Sequence, residues 1–168
     1  LNDIGRKQAW AAAERLAEEQ WDAVYSSDLS RARETAEIIA GLLNLQVTPD
    51  KRLREVHYGE REGTTYEERL ARWGSECETL PLGREPRERV LKRGTDAVSD
   101  IVARHRNQKV IVVSHGEWIE VVVSGLLGLP VPAHVDNASL TILRHEDGQW
   151  QCKLFNGTAH LRRGRQSL

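Results

Sequence analysis

Apolar positions recur at helical spacing in two early segments, first Ala9, Ala13, Leu16 and Ala17, then Ile38, Ile39, Leu42 and Leu43. That spacing predicts two amphipathic helices. Between them Ala23-Val-Tyr-Ser-Ser27 reads as a short strand. Asp28 to Ala36 opens the second helix, with Ser27 or Asp28 able to cap it. Leu45-Gln-Val-Thr48 predicts another short strand, stopped by Pro49. From Pro86, a favoured first helical residue, Val90, Ala97, Val98, Ile101 and Val102 mark a long helix. It leads into Lys109-Val-Ile-Val-Val-Ser114, a β-branched run of the kind found in parallel strands covered on both faces. The apolar stretch from Trp118 to Leu127 then reads as a further helix. Ser139 to His145 and Trp150 to Phe155, joined through Asp147-Gly148, predict an antiparallel hairpin. Strands alternating with helices place the chain in the α/β class. The glycine- and charge-rich stretch from Gly59 to Glu85, with a short helix around Tyr66 to Trp73, reads as an excursion over the sheet's carboxyl edge. Long loops of this kind usually carry specificity.

Candidate chemistry gathers at two strand-to-helix turns. His115-Gly116-Glu117 follows the Val110 strand, where the first turn of a helix directs unpaired N–H groups and a positive dipole end into a crevice. Such a place favours an anion, usually phosphate. Arg31 falls in the first turn of the helix after the Ala23 strand, where a cation opposes the macrodipole unless an anion lies in front of it. Taken alone, Arg31 is either a solvated arginine or a phosphate clamp.

Three stretches occur in order: Ser26-Ser-Asp-Leu-Ser-Arg-Ala-Arg-Glu-Thr-Ala36, Leu53-Arg-Glu-Val-His-Tyr-Gly-Glu-Arg-Glu-Gly63 and Val112-Val-Ser-His-Gly116. Together they resemble the histidine phosphatase superfamily, the phosphoglycerate mutase-like enzymes. Leu1 to Ala9 is similar to that family's first helix entry and Asn137-Ala-Ser139 to its late strand, so the likeness spans nearly the whole chain. It implies a three-layer α/β/α sandwich with a mostly parallel sheet, forming one domain over residues 1–160, with a frayed basic tail over 161–168. One departure stands out. The family carries its nucleophile in an Arg-His-Gly segment, and none occurs here; Arg104-His105-Arg106 ends a helix and lacks the glycine. The chain starts at Leu1 and contains no methionine. The expectation is therefore that a strand and loop of roughly 20–30 residues lie upstream of Leu1, placing a central strand beside the Ala23 and Val110 strands.

The resemblance also implies roles. Arg31 and the absent arginine would clamp phosphoryl oxygens, with His115 as a further donor and Gly116, Glu117 and Tyr58 in substrate contact. The absent histidine would form a phosphohistidine. Glu55, at the family's Leu-Xaa-Glu position, would protonate the leaving oxygen, its carboxyl raised by the phosphate's own charge, and later activate water. Each residue has a plainer alternative: His115 as a satisfied strand-end histidine, Glu55 as a surface carboxylate pairing with Arg54 or Arg61, and His57 or Tyr58 as loop packing. Arg33 and Arg84 read as solvated. Where the family often shows Gly-Glu-Ser, this chain has Gly83-Arg84-Glu85-Pro86. His105, His134, His145 and His160 lack metal-ligand spacing, so no metal and no cofactor is expected.

Composition narrows the field. The 168 residues suffice for one substantial core, and a formal net charge of −1 gives no nucleic-acid footprint. No apolar run approaches membrane-spanning length. Cys77 and Cys152 read as unpaired thiols of a reducing compartment, which suggests the cytoplasm. Three functions follow: a phosphatase acting on a small phosphorylated metabolite, a phosphoglycerate mutase, and a non-catalytic phosphate- or partner-binding domain. The span from Glu55 to Pro86 is short for a mutase insertion, which favours the phosphatase. A homodimer is compatible with each.

Overall fold

The computed structural model describes residues 1–163. Helix α1 (Asp3–Leu16) starts at Asn2, whose side chain accepts the Gly5 N–H at 2.8 Å, satisfying a donor that the first turn leaves over. Strand β1 (Ala23–Ser26) leads into α2 (Ser30–Leu43), followed by β2 (Val47–Pro49). The excursion holds α3 (Tyr66–Trp73), whose Thr65 and Glu68 form a reciprocal capping box. Helix α4 (Arg87–Arg104), β3 (Val110–Val113) and α5 (Gly116–Leu127) come next. The chain then forms β4 (Leu140–Glu146), β5 (Gln149–Gly157) and α6 (Ala159–Arg163).

Strands β2, β1 and β3 form a parallel sheet in that order, with Val24 opposite both Val47 and Ile111. The pleat sends alternate residues to opposite faces. Tyr25, with Ala23, Val110 and Val112 around it, meets Val90, Ala97 and Ile101 of α4 and Trp118, Val121 and Val122 of α5. Val24 and Ile111 meet Ala13 and Leu16 of α1 and Ala36, Ile39 and Ala40 of α2. The three layers follow from this alternation.

Several expectations need correcting. Pro49 does not stop β2; it pairs in register with Ser26, which an edge strand permits because proline's missing N–H costs little there. Pro86 caps α4 from outside, and the helix starts at Arg87. Leu29, not Ser27 or Asp28, is the N-cap of α2 and has no side-chain cap. The Ala23 strand cannot adjoin an absent strand, because it is itself flanked on both sides by β2 and β3. Strand β3 pairs on one side only among the described residues, and β4–β5 forms a separate antiparallel hairpin. Three of β3's four residues stay half-exposed although helices cover both faces. The hairpin turns through Asp147 and Gly148, both left-handed (φ 50° and 76°), as expected of an Asp-Gly turn. Residues expected to open a frayed tail, Leu161 to Arg163, belong to α6, and His160 is buried with Nε2 2.9 Å from the Ala138 carbonyl. The rest of that tail, 164–168, lies outside the described residues.

Candidate active site

The site is built where β1 and β3 end. Their ladder runs one step further, the Ser27 N–H donating to the Val113 carbonyl at 3.0 Å. This sets Ser27 beside His115, whose Nε2 lies 2.9 Å from Ser27 Oγ. Both are buried. His115 is the extended N-cap of α5 and makes no side-chain cap. Burial, and then the charges of Arg31 and Arg93, push its pKa down to about 4, so the imidazole is neutral at physiological pH. The N–H groups of Gly116 and Glu117 begin α5 and have no acceptor among the described residues.

Arg31 occupies the second position of α2, a first turn without any acidic residue. Its guanidinium is exposed and has no ion pair or hydrogen bond among the described residues. A cation at the positive end of a helix, facing a neutral histidine, is what an incoming anion would stabilise.

Glu55 arrives from the segment after the single-turn helix Lys51–Leu53. Its Oε1 accepts the N–H of Val56 and of Trp118, both at 3.0 Å, the second being an orphan donor of α5's first turn. Oε2 has no partner among the described residues. The pairing of Glu55 with Arg54 or Arg61 does not occur. Arg54 grips Asp28 through two bonds of 2.6 Å, and Arg61 donates to the carbonyls of Cys77 and Leu80. The Asp28–Arg54 pair ties the β1–α2 turn to the Glu55 segment. Ser114 Oγ donates to the Leu53 carbonyl at 2.7 Å and so ties in the β3–α5 turn. The three stretches that carry the resemblance thus meet at one end of the sheet.

Tyr58 donates its hydroxyl to Glu117 Oε2, and Arg84 pairs with Glu117 Oε1 while lying 5.5 Å over the Tyr58 ring. Arg84 is therefore not merely solvated, unlike Arg33, which makes only an exposed helical pair with Glu37. Burial, then the Glu117 carboxylate, raises the Tyr58 pKa and keeps the phenol a donor. The Glu117 side chain, occupied by two partners and itself negative, is unsuited to a phosphate; what Glu117 offers an anion is its backbone N–H. An open cleft of about 480 Å³ runs past Tyr58, Gly116 and Glu117 to Arg87, Glu120 and His134. It has room for the remainder of a small ester. His57 is exposed, its Nδ1 accepting the Gly59 N–H at 2.9 Å, and serves its own loop. Among the described residues no three acidic, histidine or cysteine side chains converge as a metal site.

Sequence reading missed Arg93. Its guanidinium binds both Glu85 oxygens at 2.8 and 2.9 Å and donates to the carbonyls of Arg52, Arg54 and Glu55. Glu85 in turn accepts the His57 N–H. Arg93 therefore pins the backbone around Glu55 at several points. In sequence Arg93 stands three residues after Val90 and four before Ala97, bordering the apolar stripe of the helix, and a charged residue there was the available signal.

The profile of the histidine phosphatase superfamily (branch 1) matches residues 1–158. Phosphoglycerate mutase-like protein 4 of Arabidopsis thaliana is 36% identical over 176 residues, spanning 96% of this chain and 76% of that protein. A metal-independent phosphoserine phosphatase of the same plant is 32% identical over 179 residues, spanning 96% and 72%. Among solved structures, a mycobacterial glucosyl-3-phosphoglycerate phosphatase in complex with VO3 superposes with a TM-score of 0.83 at 33% identity, covering 94% of this chain and 87% of its own.

Proposed function

Since the chain belongs to the histidine phosphatase superfamily, we propose that it is the phosphate-handling body of a hydrolase acting on a small phosphorylated metabolite. The reading extends to a phosphohistidine route that uses no metal. The observation that carries it is the pairing of an unpartnered Arg31 with a buried neutral His115 in front of the open N–H groups of Gly116 and Glu117. Phosphoryl transfer spreads negative charge over three equatorial oxygens, and fixed donors around them lower the barrier most. Arg31 supplies charge, while His115, Gly116 and Glu117 supply N–H groups. Glu55, held through Oε1, keeps Oε2 for the proton that the leaving alkoxide takes as its P–O bond breaks. In the second step the same carboxylate accepts a proton from water as it attacks phosphorus and the P–N bond breaks. We place the nucleophilic histidine on a segment outside this sequence, seated against the edge of β3 that is unpaired among the described residues. The two unpaired thiols, Cys77 and Cys152, favour a cytoplasmic setting. No helix among the described residues is long and apolar enough to cross a membrane.

Hydrolysis of p-nitrophenyl phosphate in excess chelator, by the protein carrying the proposed histidine segment, tests the reading. Activity should persist in the chelator, release inorganic phosphate to water and be blocked by vanadate. Activity lost to the chelator and restored by a divalent ion would overturn it.

A further inference from the structure

We propose that Ser27 is a positioning residue that fixes His115 as the tautomer protonated on Nδ1, so that the imidazole presents an N–H rather than a lone pair to a phosphoryl oxygen. The hydroxyl's single proton decides the tautomer. Ser27 is fully buried, and its Oγ accepts the Leu29 N–H at 3.2 Å. The other partner in reach among the described residues is His115 Nε2, at 2.9 Å. If Nε2 carried the imidazole proton, Oγ would accept twice and its own O–H would be buried without an acceptor, which costs a desolvated donor. If Oγ–H donates to a bare Nε2, every group is satisfied. The neutral ring then carries its proton on Nδ1.

Nδ1 has no partner among the described residues, yet no sealed side-chain nitrogen or oxygen there lacks a hydrogen bond. Nδ1 therefore opens to solvent. Two cations face the ring, Arg31 from α2 and Arg93 from α4, and both disfavour a second proton on it. Ser26 Oγ is turned away, donating to the Ser27 carbonyl at 2.8 Å, and leaves the Ser27 hydroxyl to His115. The tautomer itself stands on this geometry; its use against a phosphoryl oxygen rests on the proposed phosphatase reading.

Long-range 1H–15N correlation spectra of the histidine-labelled protein at neutral pH, without phosphate, test the tautomer directly. Comparison with the His115→Gln variant identifies the His115 signals among the six histidines. The expected pattern is a protonated Nδ1 and a bare Nε2, retained in Ser27→Thr, which keeps the hydroxyl, and mixed in Ser27→Ala. An Nε2-protonated ring in the wild type, or an unchanged spectrum in a folded Ser27→Ala, would overturn the proposal. Should Ser27→Ala fail to fold, the wild type and Ser27→Thr decide it. Orthophosphate titration is the second arm, with binding weakened about tenfold in Ser27→Ala, the size expected for one donor. An Nδ1 tautomer in a wild type that binds no phosphate would leave the assignment of Ser27 standing and remove the phosphatase reading instead.

Discussion

His115 concentrates the electrostatics of the site in one proton. Its pKa of about 4 in the folded protein lies below the ordinary value of 6.5, so folding favours the neutral ring. Its contribution to stability is complete above pH 6.5. As pH falls below that value the unfolded chain takes the proton first, and stability declines until the folded pKa is reached near 4. The full loss is roughly 3 kcal/mol. Urea unfolding in phosphate-free buffer at intervals from pH 7 to 4 should show this one-proton decline in the wild type and not in His115→Gln; parallel curves would contradict it. Glu55 has its own separation. Glu55→Gln should slow hydrolysis of an alkyl phosphate about a hundredfold or more, and that of a nitrophenyl ester far less, because a phenolate leaves without a proton. Equal losses with both esters would remove Glu55 from the chemistry. That His115, Arg31 and Glu55 lie on turns brought to one end of the sheet was legible in sequence, because each sits in a short motif. Ser27 was visible as a strand end, a helix cap and a residue of the first motif, but not as the partner of His115, which is 88 positions away.

The site depends on how α4 and α5 pack. Gly94 of α4 lies against α5, where an added Cβ would come within 2.2 Å of Val122 Cγ2 and 3.2 Å of the Trp118 ring. Alanine is the better helix former by about 1 kcal/mol, but overpacking a buried contact costs about 1–3 kcal/mol. A clash with a buried β-branched side chain has no easy relief. Gly94→Ala should therefore destabilise the protein in urea by about 1 kcal/mol or more. The neighbouring Arg93 holds Glu85 and three carbonyls at once. Arg93→Ala leaves a half-buried carboxylate and those carbonyls without a donor, and should cost about 3 kcal/mol. It should also loosen Glu55 and lower turnover of alkyl esters more than of aryl esters. Periodicity placed α4 and α5, whereas the ends of neighbouring elements were less legible. Pro49 is tolerated because β2 pairs on one side only among the described residues, and Asp28 does not cap α2 but is held by Arg54. Both depend on neighbours that the local sequence does not reveal.

At the scale of the molecule, one sheet end collects all three motif-bearing turns while helices seal both faces behind them. The layers were legible from the run Val110 to Val113 and the paired amphipathic helices. The strand order was not. Pairing depends on contacts distant in sequence, and among the described residues it puts β1 in the centre with β3 paired on one side only. The excursion was readable as a loop, but its closure was not: the Glu60 N–H bonds the Leu82 carbonyl at 2.9 Å, with Gly59, at φ 63°, lying where any Cβ would strike that carbonyl. We hold that the sheet end binds an oxyanion through Arg31 and His115. The decisive measurement is calorimetric titration of orthophosphate into the wild type, Arg31→Ala, His115→Ala and, as a remote control, His145→Ala, whose ring lies tilted against Trp150 of the hairpin. The account predicts saturable binding in excess chelator, weakened about tenfold or more by each of the first two substitutions and unchanged by the third. Binding that is absent, or equal in all four proteins, would contradict it.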